Sequence, residues 1–202
     1  GGALIKNETS SVLRSSILYA TFYDEAGNVT SAGSARIGIL LPGATLGVSP
    51  WVLSPPEGST PTVEFDILVL PGEVEEGYEL TENPFVVNTA TLTGEYDNYV
   101  LVNFTNTYSK QASDVDVYVQ LYNPEGQIIG GGSDWTTDPV SAGGSVDIEV
   151  FVDYSDSQTV DRIEAWVVPS SFTDFELSSL STKVHKKCGP AANRPALFFS
   201  LW

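Results

Sequence analysis

The chain is nearly devoid of cysteine, histidine and methionine: one Cys, one His and no Met in 202 residues. A lone Cys188 excludes an internal disulfide framework and any cysteine-cluster metal site. A lone His185 excludes paired-His metal chemistry and leaves little for a Ser/His/Asp triad. It stands beside Lys186 and Lys187, where an exposed, non-catalytic imidazole is expected. Cations are scarce too, nine Lys plus Arg against 26 Asp plus Glu, for a net charge of −17. Phosphate binding needs clustered cations, so no nucleic acid is expected as partner, and an anionic membrane surface is disfavoured. No apolar run reaches the roughly 18 residues of a transmembrane helix, so no membrane insertion is expected. Gly1 does not open a signal peptide, so an exported protein would be present in mature form.

With 42% hydrophobic and 11% aromatic residues, the chain is apolar enough to fold despite its charge. Asp116 to Tyr122 and Ser145 to Phe151 alternate polar or aromatic residues with aliphatic ones, the period of half-buried antiparallel strands. Turn clusters separate such runs at residues 24–28, 55–58, 124–126 and 141–144, and breakers recur too often for long helices. The predicted class is all-β, a sandwich architecture.

An internal repeat organises the chain. Asn7 matches Asn106 at an offset of 99, and Phe22, Tyr23, Asp24 and Gly27 match Leu121, Tyr122, Asn123 and Gly126 at the same offset. Leu41, Pro42 and Gly43 correspond to Ser141, Ala142 and Gly143, and Val69, Leu70 and Pro71 to Val167, Val168 and Pro169, at offsets of 100 and 98. The expectation is two tandem sandwiches, at residues 1–72 and 85–182, joined by an acidic linker at 73–84 and followed by a basic tail at 183–202.

Asn7-Glu8-Thr9, then Thr21-Phe22-Tyr23-Asp24-Glu25-Ala26-Gly27, then Leu41-Pro42-Gly43 resemble the pattern of the FxLYD domains. These are small immunoglobulin-like sandwiches of bacterial and archaeal envelope and secreted proteins. Ala20 stands at the leading Phe position. In the second copy Val119, Asn123 and Ala142 replace the Phe, Asp and Pro. The resemblance implies two tandem immunoglobulin-like β-sandwich domains and an extracellular or cell-surface location.

Aligning the copies exposes a gap. Phe85 to Leu92 precede the strand at Tyr99 to Thr105, whereas Ala3 to Lys6 align with that later strand and have no forerunner in the sequence. A sandwich without its opening strand offers Ala3, Leu4, Ile5 and Lys6 as an acceptor edge. The candidate donor is the apolar run Ala196, Leu197, Phe198, Phe199, Ser200, Leu201 and Trp202. Residues 1–182 carry a net −21 and the tail a net +4, through Lys183, Lys186, Lys187 and Arg194. Opposite charge would steer the tail toward the acidic body of a neighbouring copy. The same features fit a tail that folds back on its own first sandwich, an end made by processing, and a tail foreign to the rest of the chain.

Other candidates are weaker. Glu73, Glu75 and Glu76 could contribute oxygens to a calcium ion, although no EF-hand-like loop is present and a solvated acidic surface is the simpler reading. Beyond calcium, no cofactor is expected. Asn7, Asn28 and Asn103 each begin a glycosylation sequon. Trp51 and Trp135 fall near loops as candidate sugar-stacking residues, whereas Trp166 lies in a strand and reads as core. Paired carboxylates could serve glycoside hydrolysis, but nothing in the sequence specifies a pair, so no enzyme is expected. The expected function is a non-catalytic structural subunit of a pilus-like filament, a homopolymer assembled by strand exchange. The alternative is a monomeric envelope adhesion or polymer-binding module.

Overall fold

In the second half, valines at alternate positions of consecutive strands turn one face of each toward a common core. The computed structural model describes residues 2–52, 64–75, 78, 80–93, 98–154, 158–171, 173 and 175–176, among which every regular element is a β-strand. The protein is all-β, as the alternation and turn spacing predict.

The first half contains β1 (Ala3–Lys6), β2 (Val12–Tyr23), β3 (Val29–Leu40), β4 (Thr45–Val48), β5 (Trp51–Val52), β6 (Glu64–Leu70) and β7 (Glu73–Glu75). The second contains β8 (Phe85–Thr93), β9 (Tyr99–Asn106), β10 (Gln111–Ala112), β11 (Val115–Tyr122), β12 (Ile128–Thr136), β13 (Ser145–Phe151), β14 (Asp153–Tyr154), β15 (Arg162–Pro169) and β16 (Phe175–Glu176). All pairings are antiparallel. In the second half a β14-β12-β11-β15 sheet faces a β13-β9-β8 sheet; in the first, β5-β3-β2-β6 faces the pair β1-β4. Thus β2, β3, β4 and β6 take the places of β11, β12, β13 and β15.

The likeness extends to single atoms. Asn7 is buried and its Nδ2 donates to the carbonyls of Ser11 and Leu40, at 2.8 and 2.9 Å. Asn106 does the same to Lys110 and Val140, at 2.9 and 3.0 Å. Each Asn thereby satisfies two carbonyls where its strand turns, and an unmet buried carbonyl would cost about 1–3 kcal/mol. Left-handed backbone recurs as well, at Ser15 (φ 58°) and Asp114 (φ 53°), and at Gly43 (φ 74°) and Gly143 (φ 71°).

Val100, Val102 and Phe104 of β9 meet Val115, Val117, Val119 and Leu121 of β11 in the second core, with Phe85 edge-on to Phe104 at 5.7 Å. The first core gathers Leu18, Ala20, Ile37, Leu40, Leu46 and Val48, but it is completed from the other half by Tyr118, Trp166 and Val168. Those three lie on the outer faces of β11 and β15. β11 is therefore buried on both sides rather than half-buried, because the β3–β4 side of the first half sits on it. Gly38 and Gly47 permit that approach: a Cβ on Gly47 would collide with Trp166 and Gln120, and one on Gly38 with Asp116 and the Ser170 backbone. Trp166 is core as expected, but in the neighbouring half's core.

The acidic stretch after Gly72 begins differently from the expected linker. Glu73–Glu75 form β7, which pairs with Val12, Leu13 and Arg14 of β2 and so belongs to the first half's sheet.

Candidate functional site

β1 pairs with β4 in the register Ala3–Val48 to Lys6–Thr45, and among the described residues its other edge has no partner. Ala3 and Ile5 turn inward onto the first core, while Leu4 and Lys6 point outward and are exposed. Lys6 approaches Glu8 at 3.7 Å, an exposed pair that adds little stability. The counterpart strand β9 is paired on both edges, by β13 and by β8. Phe85, Val87, Ala90 and Leu92 of β8 pack on the second core, and β8 also contacts β15.

No described strand fills the corresponding space of the first half. Ile67 makes the consequence visible: it pairs with the buried Ala20 and so faces inward, yet it is 40% exposed. Ala3, Ile5, Ile67 and Val69 thus face inward beside a strand edge that has no partner among the described residues. Backbone donors and acceptors beside apolar side chains are the two things a complementing strand needs. The candidate donor at 196–202 lies outside the described residues, as do His185 and Cys188.

The structure also places the other sequence candidates. Asn7 is no glycan acceptor in the folded protein, since its amide nitrogen spends both protons on buried carbonyls. Of the other sequons, Asn28 is exposed, with its Nδ2 3.1 Å from an Asp24 carboxylate oxygen, and Asn103 lies mid-strand between Asn88 and Asp147, bonded to each at 2.7 Å. Of the carboxylates expected at a calcium ion, Glu75 meets the Arg14 guanidinium at 3.3 Å and Glu73 is exposed on β7. Glu76 is outside the described residues, among which no group of three or more metal-capable side chains assembles.

A second feature was not foreseen. Along the seam between the halves runs a cleft of about 340 Å³, bordered by Arg36 from β3 and by Asp116, Tyr118, Asp134, Trp135 and Ser170 from the second half. Tyr118 fixes this seam: its hydroxyl donates to the Arg36 carbonyl at 3.0 Å and accepts from the Gly38 amide at 3.3 Å. Burial, reinforced by the Asp116 charge, drives its phenol well above the ordinary value. Burial likewise raises the Asp116 carboxyl to about 6, with nearby Asp114 pushing the same way, while Tyr118 and Arg36 pull it back. Trp135 stands 66% exposed beside these groups, so the cleft combines an indole face, carboxylates and a guanidinium. Such a set can stack a ring and hold hydroxyls. Trp51 is 75% exposed on β5, apart from the groups that border the cleft.

The sequence held one usable signal for the seam: glycines inside the β3 and β4 patterns mark a close approach. No family model and no curated protein matches this chain.

Proposed function

We propose that the chain is a non-catalytic structural subunit of an extracellular or cell-surface filament, built from two FxLYD-like, immunoglobulin-like sandwiches. Subunits join by β-strand complementation: residues 196–202 of one copy pair with the open edge of β1 in the next. The observation that carries this reading is the contrast between β9, held between two strands, and β1, which among the described residues is paired on one edge only, beside the inward-facing but exposed Ile67. The charge split supports it, because a +4 tail meets a −21 body. A donated strand links copies head to tail and does not close on itself, so it yields fibres. Full-length protein should form filaments that survive dilution, seen by negative stain and light scattering, and deletion of residues 196–202 should leave none. Monomeric full-length protein at high concentration, or dilution-stable polymers from the deleted chain, would overturn the proposal.

A second reading, a monomeric envelope adhesion or polymer-binding module, is favoured by the seam cleft, where Trp135 is exposed among carboxylates. It requires glycan binding that Trp135→Ala abolishes in a protein that stays monomeric.

A further inference from the structure

Lys6, Arg14 and Arg162 each face a glutamate, and Lys110 sits over the Tyr108 ring. Among the described residues Arg36 is the one cation at the seam cleft, where it stands among Asp114, Asp116 and Asp134. Burial, the largest influence on the Asp116 carboxyl, outweighs what Tyr118 and Arg36 return to it, so the cleft is short of positive charge. Trp135 is the cross-strand neighbour of Asp116 on the same face of the sheet, and its indole is exposed. A carboxylate beside an open ring suits a lysine: the methylene stem lies along the indole while the ammonium reaches the acid. The course of the chain brings lysines there. β16 pairs with β10, whose Ala112 is two residues from Asp114, and the Thr173 hydroxyl donates to the Asp114 carbonyl. The six residues after Glu176 are uncharged, and Lys183, Lys186 and Lys187 follow, with no Asp or Glu from there to Trp202. Seven extended residues, from Glu176 to Lys183, span up to about 23 Å. Glu176 itself lies opposite Gln111, three residues from Asp114, so the first lysine reaches the cleft with chain to spare.

We propose that the seam cleft holds a lysine of the same chain's basic segment, Lys183, Lys186 or Lys187, with its stem on Trp135 and its ammonium among the carboxylates of Asp114, Asp116 and Asp134. A side chain tethered by so short a spacer arrives at an effective concentration on the order of millimolar, so a modest ion pair is enough to hold it. Because Arg36 comes from the first half and the carboxylates from the second, the docked lysine sits where the two sandwiches meet. The tail then leaves the body at the seam, and residues 196–202 start from the same place on every copy. The contact is made within one chain and holds whether or not that apolar run reaches β1 of another copy.

Carbodiimide coupling of the full chain tests it, with isotope-labelled and unlabelled copies mixed before reaction. Digestion and mass spectrometry should find Lys183, Lys186 or Lys187 joined by an amide bond to Asp114, Asp116 or Asp134, both peptides of each pair carrying the same label. Mixed-label pairs alone at the cleft would put a second copy's tail there, and coupling only to acids elsewhere on the body would leave the cleft to an external ligand. Either result overturns the proposal. The triple variant Lys183→Gln, Lys186→Gln, Lys187→Gln gives a second readout. By carboxyl carbon NMR its Asp116 should titrate higher than in the full chain by about half a pH unit or more, because a neighbouring cation favours the ionised form. An unchanged titration would count against the contact. Deletion of residues 196–202 should leave both the coupling pattern and the titration as they are, which separates this contact from strand exchange; loss of the cleft cross-links on that deletion would overturn it.

Discussion

Tyr19 and Tyr118 occupy the same place in the two halves, yet one is 40% exposed and the other 3%. Their strands share pairing partners and a left-handed residue four positions earlier, Ser15 in one and Asp114 in the other. The difference lies outside each sandwich. Tyr118 is a structural member of the first half's core, whereas nothing among the described residues covers the Tyr19 face. The two edges differ in the same way: among the described residues β9 has a strand on each edge and β1 has one on a single edge. Among the described residues the first half thus leaves one strand edge and one sheet face uncovered, and in the second half the counterparts of both are occupied within the chain.

The largest test of that contrast is truncation of the two tyrosines. Tyr118→Ala removes a buried ring and its bonds to Arg36 and Gly38, and should destabilise the protein by about 3–5 kcal/mol in chemical denaturation. Tyr19→Ala should stay within about 1 kcal/mol. Equal effects would erase the distinction between the faces. The turn asparagines sharpen the comparison from the other side, because there the halves are alike. Asn7→Ala and Asn106→Ala each strand two carbonyls and should each cost about 1–3 kcal/mol. A large cost at one and none at the other would break the atomic equivalence of the repeat.

A smaller effect concerns pH. Burial at the seam raises the Asp116 carboxyl to about 6 from an ordinary value near 3.8. Between those values the folded protein binds more protons than the unfolded chain, so stability falls as pH rises through that window. Asp116→Asn should remove this component, on the order of 1 kcal/mol between about pH 4 and pH 6. The second half's Asp116 has Ile17 as its counterpart, so no matching term arises from the first.

Much of this architecture can be read from residues alone, because alternation, turn clusters and the repeat each reflect local chemistry. Aligning the copies singles out Ala3 to Lys6, a strand that among the described residues is paired on one edge. The seam does not, since period-2 alternation marks two faces of a strand without saying whether the outer one meets water or another sandwich. Only Gly38 and Gly47, out of place in strand patterns, hint at it. Asn7 misleads because a sequon is a three-residue pattern, while its role is a buried turn. Asn106 keeps that role without a sequon, which is the clue that the asparagine is structural. The acidic stretch at Glu73 reads as a linker by composition, yet its backbone pairs with β2, a choice made by register rather than by charge.

The central claim is that β1 accepts a strand from another copy. Site-resolved amide hydrogen exchange of residues 3–6 addresses it directly. In full-length protein the β1 amides not bonded to β4 should become protected as protein concentration rises, and deletion of residues 196–202 should abolish that protection. Rapid exchange of those amides in the full chain at every concentration would contradict the account, and so would protection independent of concentration.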